Sequence, residues 1–337
     1  MRAAVIERHG TAPAIGERLP PAGAEAHALV STTAAPITPL DVLCATGTSY
    51  FGPPQLPYVP GVQGVGVVQD ARGVPGGTRV WFPTSAGMAP GDGSMAQQVL
   101  LPEAELVALP DGVEDTLVAA LGLSAIAAWA ALTWKAGLQP GEKVLVLGGG
   151  SVVGQVAIQA ARLSGAGRVV AASRSSRAQE RARTCGADAV VALRDDDEPD
   201  ELAASLTNAC AGDADVVIDP LCGVPATAAL QLLAPGGRFV NLGSSAGDSA
   251  TFTSATLRSR SAQLLGYTNN EISTAQKGEA LRALLQHAVA GRLLVDHEVV
   301  PLDRLPDAWE RQAHGLAERR IVVDLTAQDG DGGPGGS

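Results

Sequence analysis

From Lys143 onward, two kinds of apolar pattern alternate along the chain. KVLVL at 143–147 is apolar without a break after its lysine, which reads as a strand buried on both faces of a parallel sheet. RVVAAS (168–173), DAVVAL (188–193), ADVVID (214–219) and GRFVNLG (237–243) repeat that pattern at regular intervals. Between them lie segments with helical spacing, such as QVAIQAARLSG (155–165). Strands and helices in alternation predict a doubly wound α/β sheet. Residues 1–113 have a different texture, with short apolar runs broken by prolines and glycines, which predicts short strands and turns rather than helices. MRAAVIERHG has no long apolar region and no signal-peptide pattern. ISTAQKGEALRALLQHAVAGRL (272–293) predicts a helix whose apolar face includes Ile272, Leu281, Leu284, Leu285 and Val289, and ERRIVVDL (318–325) predicts a returning strand.

The junction after KVLVL carries the first chemistry. Gly148, Gly149 and Gly150 follow the strand, then Ser151-Val152-Val153-Gly154 opens the next helix. A strand, a glycine turn and a helix N-terminus together form the arrangement that receives a pyrophosphate. The next strand ends at Ser173, the right distance for a residue that meets the adenosine ribose. No carboxylate stands there to accept from ribose hydroxyls. Instead Ser173, Arg174 and Arg177 offer a hydroxyl and two guanidinium groups to a 2′-phosphate, so the expected cofactor is NADPH rather than NADH.

Several motifs recur in a fixed order: PGVQGVGVV at 60–68, GTRVW at 77–81, GSMAQQVLLPE at 93–103, LPDGV at 109–113, LQPGEKVLVLGGGSVVG at 138–154, TCGADAVV at 184–191 and LAPGGRFVNLG at 233–243. On these motifs the chain resembles the medium-chain dehydrogenase/reductase superfamily, in its zinc-free quinone oxidoreductase branch. That resemblance implies a GroES-like, β-rich catalytic domain built from 1–113 and 268–326, a Rossmann cofactor domain over 114–267, and a homodimer formed through the edge strand SAQLLGYTN (261–269). It also implies a cofactor set that adds Ser124, Gly243, Ser244 and Asn269 to Gly149, Gly150, Ser151, Val152, Val153, Ser173, Arg174 and Arg177. One departure stands in the turn. Where the branch has alanine and then two adjacent glycines, this chain has Gly149, Ser151 and Val152.

The resemblance also shows what is missing. Zinc-dependent members carry a catalytic cysteine shortly before an aspartate, then a Gly-His-Glu run. Aligned on Asp41 and Gly61, this chain places Thr38, Val62 and Gln63 at those positions, a poor ligand set for zinc. Without a Lewis acid, hydride transfer suits an already activated acceptor such as a quinone or an α,β-unsaturated carbonyl. An enoyl thioester on CoA or a carrier is the alternative, and a non-enzymatic NADPH-binding sensor or structural protein is a reading of another class. In family members the loop 38–51 borders the nicotinamide. Here Thr38 is the candidate contact to substrate or ribose, and Tyr50 is the candidate general acid, with loop packing as its bland reading. Trp81, Phe82 and Met95 read equally as pocket lining or core. Lys135 reads as a helix end facing solvent.

Composition narrows the partners. The 337 residues carry a net charge of −11, which argues against nonspecific nucleic-acid binding. Hydrophobic residues make up 46% but aromatics only 3%, so the core must be mostly Ala, Val and Leu. None of the four cysteines (Cys44, Cys185, Cys210, Cys222) forms a CxxC pair, which fits a reducing cytoplasm, with each thiol read as a small buried apolar group. The uncharged run 117–134 has the length of a membrane span, but its alanines, Gly122, Ser124 and Thr133 read as a buried helix pair, so no membrane partner is expected. RDDDEPDE (194–201) reads as a surface loop, and the tail 327–337 as disordered.

Overall fold

A computed structural model describes residues 1–326; the expected disordered tail, 327–337, lies outside the described residues. In chain order the elements begin with β1 (Arg2–Val5), β2 (Ala14–Glu17), β3 (His27–Ile37), α1 (Pro39–Thr46), β4 (Gln63–Asp70), β5 (Arg79–Pro83), β6 (Gln98–Pro102), β7 (Val107–Ala108) and α2 (Asp115–Ala130). The glycine turn then joins β8 (Lys143–Leu147) to α3 (Val152–Leu163). After it come β9 (Arg168–Ser173), α4 (Ser176–Thr184), β10 (Ala189–Ala192), α5 (Pro199–Cys210), β11 (Ala214–Asp219) and α6 (Gly223–Gln231). The chain closes with β12 (Leu233–Asn241), α7 (Ser254–Arg260), β13 (Gln263–Gly266), α8 (Thr274–Val289), β14 (His297–Pro301), α9 (Leu305–Ala313) and β15 (Arg320–Asp324).

These elements form two compact units, Met1–Gly122 with the segment from Asp296 onward, and Leu123–Val295. The first holds a mixed sheet in the order β14-β15-β3-β4-β5-β7, with β6 also paired to β3, and a separate β1-β2 pair. One core cluster of this unit gathers Ile6, Ile37, Met95, Leu305, Trp309 and Ile321. Trp81, Phe82 and Met95 are fully buried, so all three are core residues rather than pocket lining. The second unit holds a parallel six-stranded sheet, β10-β9-β8-β11-β12-β13. Residues 144–147 are buried along β8, as a central strand covered on both faces requires.

The crossings between units, at 122/123 and 295/296, lie C-terminal to the expected 113/114 and 267/268. Side-chain anchors explain the difference. Asp115, at the start of α2, pairs with Arg79 and accepts from Thr33 Oγ1 (2.6 Å), which holds the first turns of that helix in the first unit. Lys135–Glu271 (2.6 Å) and Gln159 Nε2 to the Leu294 carbonyl (2.8 Å) hold the α8 region in the second. Lys135 is therefore an ion-pair partner rather than a solvated helix end. It also sits 5.3 Å from the Trp134 ring centroid.

The α8 face buries Leu281, Leu284 and Leu285 completely, but Val289 ends the helix 54% exposed and Ile272 precedes it. Among the described residues, one helical run, Asp115–Lys135, is long and apolar enough to cross a membrane; it breaks at Gly122, and most of its apolar window is buried in the fold. Cys44 and Cys210 are buried, Cys185 and Cys222 only partly so.

Candidate cofactor and active site

The glycine turn meets three neighbours at once. A Cβ at Gly150 would lie 2.6 Å from Ala178 Cα and closer still to Ala178 Cβ, so α4 crosses the turn at a distance only glycine allows. Gly154 plays the same part for α3, since a Cβ there would stand 2.6 Å from Gly149 Cα. Ser151 is the N-cap of α3: its Oγ accepts from Gly154 N (3.1 Å) and donates to the Gly148 carbonyl (2.8 Å). The amides of Gly149, Gly150 and Ser151 are engaged by the Ala172 carbonyl, Ser173 Oγ and the Gly148 carbonyl. Val152 and Val153 open the first turn of α3, where helical N–H groups have no intrahelical acceptor and attract an anion. With serine and valine in place of two glycines the helix N-terminus stays capped, because Ser151 supplies the cap.

Ser173 differs from expectation. It is buried, and its hydroxyl accepts from Gly150 N (3.1 Å). It braces the turn rather than facing a 2′-phosphate, because the last residue of a central strand points into the packing between β9 and the turn. Arg174 and Arg177 are exposed, Arg177 in the first turn of α4. Two residues outside the expected set complete the brace. Gln155 Nε2 (3.1 Å) and Arg181 Nε (3.3 Å) both donate to the Gly150 carbonyl. The sequence signal for them is helical phase: each lies on the face of its helix that returns to the turn.

The other expected cofactor residues cluster at the carboxyl ends of the strands. Gly243 and Ser244 follow β12, with Ser244 exposed. Asn269 Nδ2 donates to the Leu123 carbonyl (2.9 Å), beside Ser124, and its Oδ1 accepts from Tyr267 Oη (2.9 Å). Asp219, the last residue of β11, was not expected. Burial lifts its carboxyl above the ordinary range, against hydrogen bonds from Asn241 and from the amides of Cys222 and Leu221.

In the first unit, the zinc-ligand positions are occupied by a hydrogen-bonded carboxylate cage. Asp41, 2% exposed, accepts through Oδ2 from Thr38 N (2.8 Å) and Thr38 Oγ1 (2.6 Å), and through Oδ1 from Gly61 N (3.1 Å) and Val62 N (2.8 Å). Arg320, itself buried, supplies positive charge nearby and donates to the Ile37 carbonyl (2.9 Å). Thr38 thus caps α1 in a reciprocal capping box, and its hydroxyl proton is committed to Asp41 rather than to substrate or ribose. Gln63 accepts from Trp81 Nε1 (3.0 Å) through Oε1. A capping threonine, a valine and an engaged amide do not fit a zinc ion. Among the described residues, no group of three or more His, Cys, Asp or Glu side chains is placed to hold a metal. Tyr50 is 78% exposed, its ring centroid 4.1 Å from that of Phe51.

Comparison with known proteins gives two family matches. Residues 24–111 match the alcohol dehydrogenase GroES-like domain family, and residues 152–286 the zinc-binding dehydrogenase family. A phenolphthiocerol/phthiocerol polyketide synthase protein of Mycobacterium tuberculosis is 30% identical over 228 residues, covering 65% of this chain and 10% of the synthase; the chain thus matches about a tenth of that protein's length. Human quinone oxidoreductase is 27% identical over 293 residues, covering 85% of each. A mycobacterial protein solved in complex with NADPH superposes with a TM-score of 0.84 at 19% identity, covering 96% of this chain and 99% of that one.

Proposed function

The chain belongs to the medium-chain dehydrogenase/reductase superfamily, quinone oxidoreductase-like, and from that premise we propose that it is an NADPH-dependent, zinc-independent reductase of quinones or α,β-unsaturated carbonyl compounds. The observation that carries the reading is the braced glycine turn on the N-terminus of α3, with Arg174 and Arg177 exposed beyond the end of β9. Val152 and Val153 offer amides to the pyrophosphate, and the two arginines offer charge to the 2′-phosphate. The bound nicotinamide supplies the hydride chemistry. The protein binds it, orients it and delivers a proton, for which Tyr50 is the candidate donor. With Thr38, Val62 and Gln63 unsuited to a metal, the acceptor must be activated by its own conjugation.

An enoyl thioester is a second acceptor class, favoured by the resemblance to a polyketide synthase segment. The reading includes a homodimer through β13, whose Leu264 is 41% exposed on the sheet edge beside Phe252 at 49%. The test is loss of NADPH absorbance by the purified chain with a panel of quinones, enones and enoyl thioesters, with the products identified. Tight NADPH binding with no oxidation by any acceptor would overturn the reductase and leave a cofactor-binding protein.

A further inference from the structure

The turns that close the second half of the parallel sheet are tied together by one buried carboxylate. Asp219 is 0% exposed. Its Oδ1 accepts from Leu221 N and Cys222 N, both at 2.9 Å, which shapes the turn 220–223. Its Oδ2 accepts from Asn241 Nδ2 (2.8 Å), and the same amide donates to the Gly243 carbonyl (2.9 Å) in the turn after β12. The two turns stay joined further along. Ser245 Oγ donates to the Pro220 carbonyl (3.1 Å), and Ala246 N to the Leu221 carbonyl (2.7 Å). On the other side, a Cβ at Gly148 would lie 3.1 Å from Leu221 Cδ2, so the turn 220–223 rests on the start of the phosphate turn. Cys222 is held there at φ 57°, ψ −155°, a region that non-glycine residues avoid.

Position gives this hub its meaning. From β8 the chain winds one way through β9 and β10; from β11 it winds the other way through β12 and β13. Open parallel sheets take ligands at the carboxyl ends of their strands, where the winding reverses, and a dinucleotide lays one mononucleotide on each half. The glycine turn, Arg174 and Arg177 belong to the adenosine half. The joined turns belong to the other.

We propose that Asp219 is a positioning residue for the nicotinamide half of the cofactor, holding the 220–223 and 242–247 turns as one surface. The proposal rests on the dinucleotide reading above. A carboxylate is needed because it accepts from the two amides and from Asn241 together. In Asp219→Asn the new carbonyl still accepts from Leu221 and Cys222, but the new NH2 faces the NH2 of Asn241, so the link between the turns is the part that breaks.

The experiment compares the affinity of wild type and Asp219→Asn for NADPH and for 2′,5′-ADP, which occupies only the adenosine half, with the melting temperature of each. The expected result is NADPH binding weakened at least tenfold, about 1.4 kcal/mol, with 2′,5′-ADP binding unchanged. Equal NADPH affinity in the two proteins, or parallel loss of both ligands, would overturn the proposal. Wild type that binds neither ligand would overturn the dinucleotide reading and the proposal with it. If Asp219→Asn does not fold, Asn241→Ser, which withdraws the amide from both Asp219 and Gly243, must show the same selective loss. Wild-type NADPH binding by that variant would refute the assignment.

Discussion

Gly150→Ala is the sharpest perturbation of the cofactor turn. The added methyl would lie 2.6 Å from Ala178 Cα and 2.9 Å from the Ala178 carbonyl oxygen, and closer still to Ala178 Cβ. Carbon contacts settle at about 3.5–4.0 Å, so α4 must retreat by roughly 1 Å. The neighbours in the way are backbone atoms and a methyl group, with no flexible side chain to swing aside. Overpacking of this kind costs about 1–3 kcal/mol. For a unit of this size, at about 2–4 °C per kcal/mol, the melting temperature falls by roughly 2–12 °C. The retreat also stretches the Arg181 Nε to Gly150 carbonyl bond (3.3 Å) and carries Arg177 away from the turn. NADPH affinity therefore falls along with stability. Thermal unfolding by circular dichroism and NADPH titration by nicotinamide fluorescence measure the two effects. Adding Ala178→Gly removes the closest contact and recovers part of the stability, less about 0.5–1 kcal/mol for a glycine in a helix. A Gly150→Ala protein with wild-type melting temperature and NADPH affinity would refute the close-packing argument.

Other consequences are open to direct measurement. Cys222→Gly should be more stable than Cys222→Ala by about 1 kcal/mol or more in urea unfolding, because glycine relieves the positive φ while alanine keeps it; equal stabilities would show no strain there. Gly122→Ala should cost about 1–3 kcal/mol, since a Cβ would lie 2.5 Å from Gln63 Cδ, and a Gln63→Ala background should recover only the steric part, because Gly122 sits at φ 31° and the backbone strain remains; equal cost in both backgrounds would refute the contact. Burial pushes the Cys44 and Cys210 thiols up to about 11, so the thiolate is scarce at pH 8. Iodoacetamide at that pH should leave both unmodified in the folded protein, with alkylation appearing as the pH approaches 11; rapid alkylation at pH 8 would contradict their burial.

What the sequence discloses follows from which forces act locally. β9 and β11 stand at the residues read from the pattern, because short apolar runs built around paired valines between turn residues admit little else. The phosphate turn was legible for the same reason: glycines, cap and helix are contiguous. The direction of a hydroxyl was not. Thr38 and Ser173 carry the right chemistry for cofactor or substrate contact, yet one caps a helix and the other braces the turn. Each choice depends on a partner, Asp41 or Gly150, whose geometry emerges only in the folded chain. The pairing of Asp219 with Asn241 is not legible in the sequence, because the two residues end strands that are adjacent in the sheet but separated along the chain by α6, and the motif that contains Asn241 does not name its partner. The crossing between units is not legible at 113/114 because Arg79 and Thr33, far earlier in the chain, hold the first turns of α2 in the first unit.

Coenzyme preference tests the central claim most directly. The measurement is kcat/KM for NADPH and for NADH with one accepted quinone or enone, on protein dialysed against a chelator, for wild type and Arg174→Ala. One charge-assisted contact to the 2′-phosphate contributes about 1.5–3 kcal/mol, reduced by the exposure of Arg174 and by salt. The account predicts that wild type favours NADPH by about tenfold or more, that chelation leaves the rate unchanged, and that Arg174→Ala loses most of the preference while its rate with NADH stays the same. Equal use of the two coenzymes by the wild-type protein, or activity that disappears with the metal, would contradict it.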